Sequence, residues 1–300
     1  MRHLLTSCLT LAAPLAALGA CAAPEAPVAE SGAEAAPVAE VAAAAEVPSL
    51  QQVWIAEGFE APEGIALAPD GNYLVSNVRG EGSAKDGDGY VSKLSPDGVL
   101  IERYFAAKLN APKGMAVKDG VLYVADIDEV VTFNAETGQD RGAIKVPGAG
   151  FLNDMTVWGD RVLVSDSANG TIIDVSGETP AVWLSDDRFG GINGLLGDGD
   201  HLLVATMATG SLFSVSADGG ITEIASGMEN ADGMGLVPGG GYLLSSWPGQ
   251  IYHVGEDGTV TTLLDSEADG IMQNDLTEFG DTVIVPNWVP GTVTAWKVVH

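Results

Sequence analysis

Residues 153–166 read NDMTVWGDRVLVSD, and residues 193–206 read NGLLGDGDHLLVAT. Each stretch begins with a polar pair, continues into a short apolar run, turns at a segment containing Gly and Asp, and ends a second run at a small polar residue. Short β-type runs separated by such turns predict antiparallel strands. Because the same unit returns after 40 residues, the sequence also indicates a repeat architecture.

The unit occurs six times between residue 50 and the C-terminus, at intervals of 39 to 50 residues. Its starting pairs are Glu63-Gly64, Lys113-Gly114, Asn153-Asp154, Asn193-Gly194, Asp232-Gly233 and Asn274-Asp275. Intervals of this length are typical of propeller blades, whereas a β-sandwich has no reason to show a regular period with aligned polar residues. We therefore predict an all-β fold, a six-bladed β-propeller over residues 50–300.

The last unit lacks chain for an outer strand. After residues 282–288 and 292–299 the sequence ends, while a spare strand-like segment, residues 52–56, precedes the first unit. An unpaired strand edge favours aggregation, so propellers close their ring. We predict that the N-terminal segment supplies the outer strand of the last blade.

The first residues of the six units form a polar ring. In a propeller these positions start the innermost strands, so their side chains should meet at one end of the central channel. Carboxylate and amide oxygens suit hard cations such as Ca²⁺, and the absence of clustered His or Cys argues against zinc or copper. A polar ring can also hold only water or bind itself, since buried polar groups need partners in any case. The ring consists of Glu63, Lys113, Asn153, Asn193, Asp232 and Asn274, with Asp154 and Asp275 one position further along.

The ring, in blade order, resembles that of the senescence marker protein/gluconolactonase family of six-bladed propellers. The likeness extends over residues 50–300 and includes the Asn-Gly and Asp-Gly contexts. It implies that Glu63, Asn193 and Asp232 hold a divalent metal, expected to be Ca²⁺, and that Asn153 contacts substrate. We place Asn153 among the expected metal ligands as well. The resemblance further implies hydrolysis of a sugar lactone or similar cyclic ester, in which Asp232 is the catalytic residue that takes a proton from the attacking water.

Lys113 departs from this pattern. Its ammonium could pair with Glu63 or Asp232 and weaken metal binding, anchor an anionic substrate, or turn outward on its long stem. We place Lys113, Asp154 and Asn274 with Asn153 among the expected substrate-binding residues.

Three other features bear on this end of the channel. Residues 78–89 form a long insertion that is either a lid or a flexible turn. Trp247 and Trp288 follow second strands, and we favour packing between blades over stacking on a sugar ring. No Gly-x-Ser-x-Gly elbow, histidine dyad or phosphate-binding glycine loop is visible in the sequence.

The N-terminus predicts export. Residues 1–20 have a basic start and an apolar run, which is typical of a signal peptide, and residues 18–21 (LGAC) resemble a lipobox that makes Cys21 the lipid anchor; an ordinary signal with a chance cysteine is the alternative. Residues 21–49, rich in Ala, Pro and Glu, then form a disordered tether. The expected location is the periplasm or cell envelope, with membrane attachment through the lipid alone.

The net charge of −28 argues against nucleic-acid partners. The expected partner is a small molecule or a glycan, and the expected state is a monomer. The functional expectation is a calcium-type lactone or ester hydrolase, and the alternative is a non-catalytic propeller that binds a glycan, a metabolite or a partner protein.

Overall fold

The computed structural model describes residues 47–300. The predicted signal peptide, most of the tether and Cys21 lie outside the described residues. Within residues 47–300 no helix is long and apolar enough to span a membrane. The helical segments of this part are two single turns of 3-10 helix, Asp187–Phe189 and Glu267–Asp269.

The strands are β1 (Ser49–Glu57), β2 (Pro62–Leu67), β3 (Tyr73–Asn77), β4 (Gly89–Leu94), β5 (Leu100–Leu109), β6 (Pro112–Lys118), β7 (Val121–Asp126), β8 (Glu129–Asn134), β9 (Asp140–Lys145), β10 (Leu152–Trp158), β11 (Arg161–Asp166), β12 (Thr171–Asp174), β13 (Ala181–Ser185), β14 (Ile192–Asp198), β15 (His201–Thr206), β16 (Ser211–Ser216), β17 (Ile221–Ala225), β18 (Ala231–Leu236), β19 (Tyr242–Ser246), β20 (Gln250–Val254), β21 (Val260–Asp265), β22 (Met272–Gln273), β23 (Thr277–Phe279), β24 (Thr282–Val289) and β25 (Thr292–Val299).

Strand pairing divides the described chain into antiparallel four-stranded units. Four are separate sheets: β2 to β5, β6 to β9, β10 to β13 and β14 to β17. A larger sheet holds the rest, β18 to β21 and the final unit, joined by a single parallel bridge between Met234 and Thr277. The all-β propeller prediction is confirmed. The four separate sheets and the larger sheet are compatible with six blades, and the number of blades stays a prediction.

The N-terminal closure is also confirmed. Strand β1 pairs antiparallel with β25 from Ser49 opposite Val299 to Glu57 opposite Thr292, with one bulge between Gln52 and Trp54. The strand is longer than residues 52–56, and its first residue falls within the predicted tether. The Trp54 indole reaches the neighbouring unit, where Nε1 donates to the Pro96 carbonyl at 2.9 Å. The first and last units are thus tied together by both backbone and side chain.

Apolar residues of the strands pack between neighbouring sheets. One such cluster joins the first and second units through Leu74, Leu109 and Leu122, all fully buried. Another joins the last unit to the first through Ile65 and Ile284. These layers fix the innermost strands β2, β6, β10, β14, β18 and the pair β22 and β23 around the channel.

Candidate functional site

A β-bulge interrupts the start of each of the first five innermost strands. The register shifts between Pro62 and Ile65 in β2, and equivalent shifts occur in β6, β10, β14 and β18. Both residues of each polar pair lie inside the bulge, where an extra residue redirects a side chain. In the last unit the strand breaks altogether, and residues 274–276 separate β22 from β23.

The bulge hydrogen-bonds to the second strand. Serine hydroxyls accept the backbone N–H of the second residue of the pair: Ser76 from Gly64 at 2.8 Å, Ser165 from Asp154 at 2.9 Å and Ser245 from Gly233 at 2.9 Å. These bonds satisfy a buried donor that the ladder leaves free. The bulge is therefore held by specific hydrogen bonds, and it directs the side chain of the first residue of each pair towards the channel.

Glycine in the second position lets neighbouring innermost strands approach closely. A Cβ on Gly233 would lie 1.7 Å from Asp275 Oδ1, and one on Gly114 would lie 2.3 Å from Asp154 Oδ1. Each acidic residue of this second register therefore occupies space that the glycine of the preceding unit leaves open.

All six residues of the predicted ring line one cavity of about 310 Å³, together with Met207, Trp247 and Trp288. We call this the upper cavity. The six ring residues are each 3 to 8% exposed, and they are Glu63, Lys113, Asn153, Asn193, Asp232 and Asn274. The structure thus brings together every predicted site residue of the described chain except Asp154.

Two buried acceptors of the upper cavity have no hydrogen-bond partner, Glu63 Oε2 and Asn153 Oδ1. The Asn153 amide nitrogen donates to Ser167 Oγ at 3.3 Å, and Ser167 in turn donates to the Ile192 carbonyl. These bonds fix the amide so that its oxygen is the free atom. A buried acceptor left unsatisfied costs about 1–3 kcal/mol, so both atoms favour a ligand that supplies positive charge or a donor.

Burial dominates the electrostatics of the carboxyls. It raises the pKa of Glu63 well above its usual range. The nearby Lys113 charge acts to lower this pKa, and the charges of Asp232 and Asp154 raise it further. Burial likewise raises the pKa of Asp232 to about 7; the Asp154 charge adds to the effect, while Lys113 and a hydrogen bond from Asn193 oppose it.

Asp154 lies on the other side of the bulge, in a second cavity of about 220 Å³ that we call the lower cavity. Its Oδ2 accepts the Leu195 N–H at 2.7 Å and its Oδ1 accepts the Met155 N–H at 2.6 Å. Burial raises its pKa to about 7 despite these bonds. Asp275 shares the lower cavity, and burial and the neighbouring carboxyls raise its pKa well above the usual range. The expected substrate contact of Asp154 therefore has no support from its position.

Lys113 points into the upper cavity and not outward. Its Nζ lies 5.6 Å from the ring centroid of Phe151 and 5.6 Å from that of Trp288. Burial lowers the pKa of Lys113, while Glu63 and Asp232 act to raise it. In the described part of the chain no carboxylate oxygen lies within 4.0 Å of this nitrogen.

Residues 78–88, the mouth loop, lie at the same end of the channel. A Cβ on Gly82 would sit 3.9 Å from Lys113 Nζ and 4.0 Å from the Trp288 ring, so this part of the loop covers the lysine. Lys85 Nζ pairs with Asp128 Oδ2 of the next unit at 2.7 Å. The loop therefore lies next to two residues that line the upper cavity, Lys113 and Trp288.

The sequence analysis favoured packing between blades for Trp247 and Trp288, and the structure places both in the lining of the upper cavity. Trp247 and Trp288 line the upper cavity and meet edge to face, with centroids 6.2 Å apart at 89°. Met207 and Trp247 directly follow the last residues of β15 and β19, and Trp288 follows Asn287 within β24. These three residues come directly after the aligned residues Thr206, Ser246 and Asn287, so a further aligned column could have revealed them. Phe151, two residues before Asn153, carried no comparable signal.

The polar ends of the second strands are structural. Asp126 accepts the backbone N–H groups of Asn110 and Ala111 at 2.8–3.0 Å, and Asp166 does the same for Gly150 and Phe151. They hold the segment that leads into the next innermost strand, and none of them lines the upper cavity.

The residues that line the upper cavity offer the oxygen ligands that a hard divalent cation prefers. Its oxygen donors are two carboxylates, Glu63 and Asp232, and the amides Asn153, Asn193 and Asn274, and no histidine or cysteine lines it. Within residues 47–300 no three His, Cys, Asp or Glu side chains are grouped as metal ligands, so a cation here would depend on the amide oxygens. The unpartnered Glu63 and Asn153 atoms are where such ligation is free to occur.

No protein-family model and no curated protein matches the chain. Several solved structures are similar to the chain. A gluconolactonase from Xanthomonas campestris is 15% identical, with 87% of this chain and 93% of that one covered at a TM-score of 0.62. An inactive histidine-to-alanine variant of virginiamycin B lyase from Staphylococcus aureus is 12% identical, with 84% and 100% covered at a TM-score of 0.58. A chain of a nidogen–laminin complex is 15% identical, with 71% and 86% covered at a TM-score of 0.58. At these identities the likeness shows the fold alone: the chain is a β-propeller.

Proposed function

We propose that this propeller hydrolyses a lactone or a similar cyclic ester with a bound divalent cation of the calcium type. The observation that carries the proposal is the pair of buried, unpartnered acceptors, Glu63 Oε2 and Asn153 Oδ1, in the same cavity as Asn193 and Asp232. Together these four residues would hold the cation.

The comparisons support a lactonase more than the other reactions they present. The four residues stand in the blade order of the gluconolactonase pattern, and a gluconolactonase is among the similar structures. The crystallised lyase was inactivated by replacing one histidine, whereas no histidine in the described residues lines either channel cavity. A lyase reaction that depends on a histidine therefore has less support here.

Each residue has a chemical role in the proposed reaction. The cation, when bound, polarises the ester carbonyl as a Lewis acid. Asp232 accepts the proton of the attacking water as the new C–O bond forms, and returns it to the ring oxygen as the ester bond breaks. The amide oxygen of Asn153 orients the substrate, and the faces of Trp247 and Trp288 offer a surface for its ring. The product is a hydroxy acid.

The cellular setting is a separate proposal. We propose that the protein is exported and anchored through Cys21, so that the propeller works in the cell envelope. The support is the sequence of residues 1–21.

A non-catalytic binding function is the second candidate. Lys113 places a cation beside the proposed metal ligands, and the fold is shared with a chain of a nidogen–laminin complex. Because propellers host many functions, the fold does not separate the two.

The test is a metal titration of the chelator-treated protein with Ca²⁺, Mn²⁺ and Zn²⁺, following thermal unfolding and the hydrolysis of a panel of lactones. At 100 times its Kd, a cation that binds only the folded state adds about 2.7 kcal/mol to the free energy of unfolding. We expect this stabilisation with Ca²⁺ and hydrolysis that depends on the ion.

Two isosteric variants locate the effect. Glu63→Gln should weaken the cation-induced stabilisation, and Asp232→Asn should also lower kcat by about 10²- to 10⁴-fold, the range for losing a general base. Asp97→Asn, in an exposed turn, removes the same charge and should change neither quantity. If no cation stabilises the protein and Asp232→Asn hydrolyses lactones as fast as the parent, the proposed mechanism is wrong. If the parent hydrolyses no lactone in the panel, a binding function is favoured.

A further inference from the structure

Lys113 is a buried cation without an anionic partner. The residue lies in β6, and 6% of its surface is exposed. Within residues 47–300 it forms no ion pair within 4.0 Å and no side-chain hydrogen bond, although Glu63 and Asp232 line the same cavity. An ammonium carries three donors, and none of them is used here.

The surroundings hold the ammonium in place without satisfying it. The Phe151 and Trp288 rings, each 5.6 Å from Nζ, attract a cation through their faces but accept no ordinary hydrogen bond. Gly82 of the mouth loop lies beside the ammonium, and it has no side chain that could accept a hydrogen bond from Nζ. The free donors therefore face the volume that a ligand would occupy.

We propose that Lys113 binds a carboxylate of the substrate, so that the substrate is a lactone or cyclic ester that carries a free carboxylate group. The inference rests on the proposed hydrolysis for the reaction and on the setting of Lys113 for the anion. Water adds to the ester carbonyl, the ring C–O bond breaks, and the product is a hydroxy dicarboxylate with release of one proton. The ester end faces Glu63, Asn153 and Asp232, and the carboxylate end faces Lys113.

A carboxylate suits the site better than a phosphate ester. Glu63 and Asp232 line the same cavity, and each repels an anion in its ionised form. A phosphate dianion doubles this repulsion, whereas a single charge can be matched by the one ammonium. Lys113 is the only basic residue of the described chain that lines the upper or the lower cavity.

The kinetic test compares glucaric acid monolactone with the neutral glucono-1,5-lactone on the calcium-loaded protein. A hydrogen bond to a charged group contributes about 1.5–3 kcal/mol, so Lys113→Met should lower the ratio of kcat/KM for the anionic over the neutral lactone by about 10- to 100-fold. Lys113→Arg should restore part of the ratio. Lys118→Met is the matched control, because Lys118 lies in the same strand near Asp119 and outside the upper cavity.

A binding test separates this inference from the proposed reaction. Calorimetry should show that glucuronate binds more tightly than glucose, and that Lys113→Met abolishes the preference while Lys118→Met keeps it. If glucuronate shows this preference but no lactone is hydrolysed, the proposed reaction fails and the carboxylate site stands. The inference is overturned if Lys113→Met, with unchanged thermal unfolding, alters neither the kinetic ratio nor the preference by more than twofold. It is also overturned if glucose 6-phosphate binds more tightly than glucuronate through Lys113.

Discussion

The buried carboxyl of Asp232 should make the metal-free protein less stable as pH rises. Its pKa rises from an ordinary value of 3.8 to about 7 in the fold, first because burial removes water and then because Asp154 lies near. Below pH 3.8 both the folded and unfolded states carry the proton, and above pH 7 both have lost it. Between these limits the folded state binds more protons, so the free energy of unfolding falls by 1.36 kcal/mol per pH unit, or about 4 kcal/mol in all.

Asp232→Asn removes this effect while preserving shape. The new amide oxygen can still accept the hydrogen bond from Asn193, and it has no charge to desolvate. In the presence of a chelator, we expect the variant to gain about 4 kcal/mol over the parent at pH 8. The gain should be about 3 kcal/mol smaller at pH 5, where the parent carboxyl is largely protonated. Urea unfolding followed by tryptophan fluorescence at the two pH values measures the difference.

Asp97→Asn is the control for overall charge. Asp97 lies in an exposed turn, and exposed substitutions change stability by about 0.5 kcal/mol or less. The reasoning fails if Asp232→Asn is no more stable than the parent at pH 8, or if its gain is the same at pH 5 and pH 8. Asp232→Asn should also change function, because it should lose the calcium-induced stabilisation and the hydrolysis of lactones.

Three further predictions concern the framework. Gly233→Ala should cost about 3 kcal/mol in urea unfolding because its Cβ collides with the Asp275 carboxyl, whereas Gly82→Ala, whose Cβ would make only ordinary van der Waals contacts, should unfold like the parent. Deletion of Ser49–Glu57 should expose the edge of β25, lower the thermal midpoint and produce aggregates in size-exclusion chromatography; a monomer as stable as the parent would contradict the closure. Ser165→Ala should cost about 1–3 kcal/mol by leaving a buried bulge N–H unpaired, and an unchanged unfolding curve would disprove that role.

The repeat predicted the fold because its period and its register are both local properties. Each unit has two strands joined by a tight turn, and the recurring spacing places a polar residue at the start of each unit. The closing strand was predicted because residues 52–56 form a strand-like segment before the first unit and the last unit needs an outer strand. The pairing of Ser49 with Val299 across the whole described chain thus follows from counting strands and from the cost of an open edge.

The bulges were not predictable in the same way. An alternating strand would place Glu63 and Gly64 on opposite faces, and only the displaced register between Pro62 and Ile65 shows how the pair is accommodated. Asp154 illustrates the consequence. One position of difference moves its carboxylate below the bulge into the lower cavity, where backbone N–H groups hold it. Sequence spacing identified the column but did not separate its two levels.

The surroundings of Lys113 depend on loops, and loop conformation is set by tertiary packing. Phe151 approaches Lys113 because Asp166 binds the segment before β10. The mouth loop approaches it because Lys85 reaches Asp128 on the next unit. Neither contact has a sequence period, so the sequence left three orientations of Lys113 open.

The charges of the channel link the two proposals. Burial raises the pKa values of Glu63, Asp232 and Asp275, and the Asp154 charge raises each of them further. Lys113 is the one basic residue of the described chain that lines the upper cavity. Without a cation, the ionised channel repels the carboxylate that Lys113 would bind. A divalent cation at Glu63 and Asp232 reverses that field and frees Lys113 to bind the ligand. Cation and anionic ligand should therefore bind with positive cooperativity, and because coupling is reciprocal, the ligand should tighten the cation by the same factor.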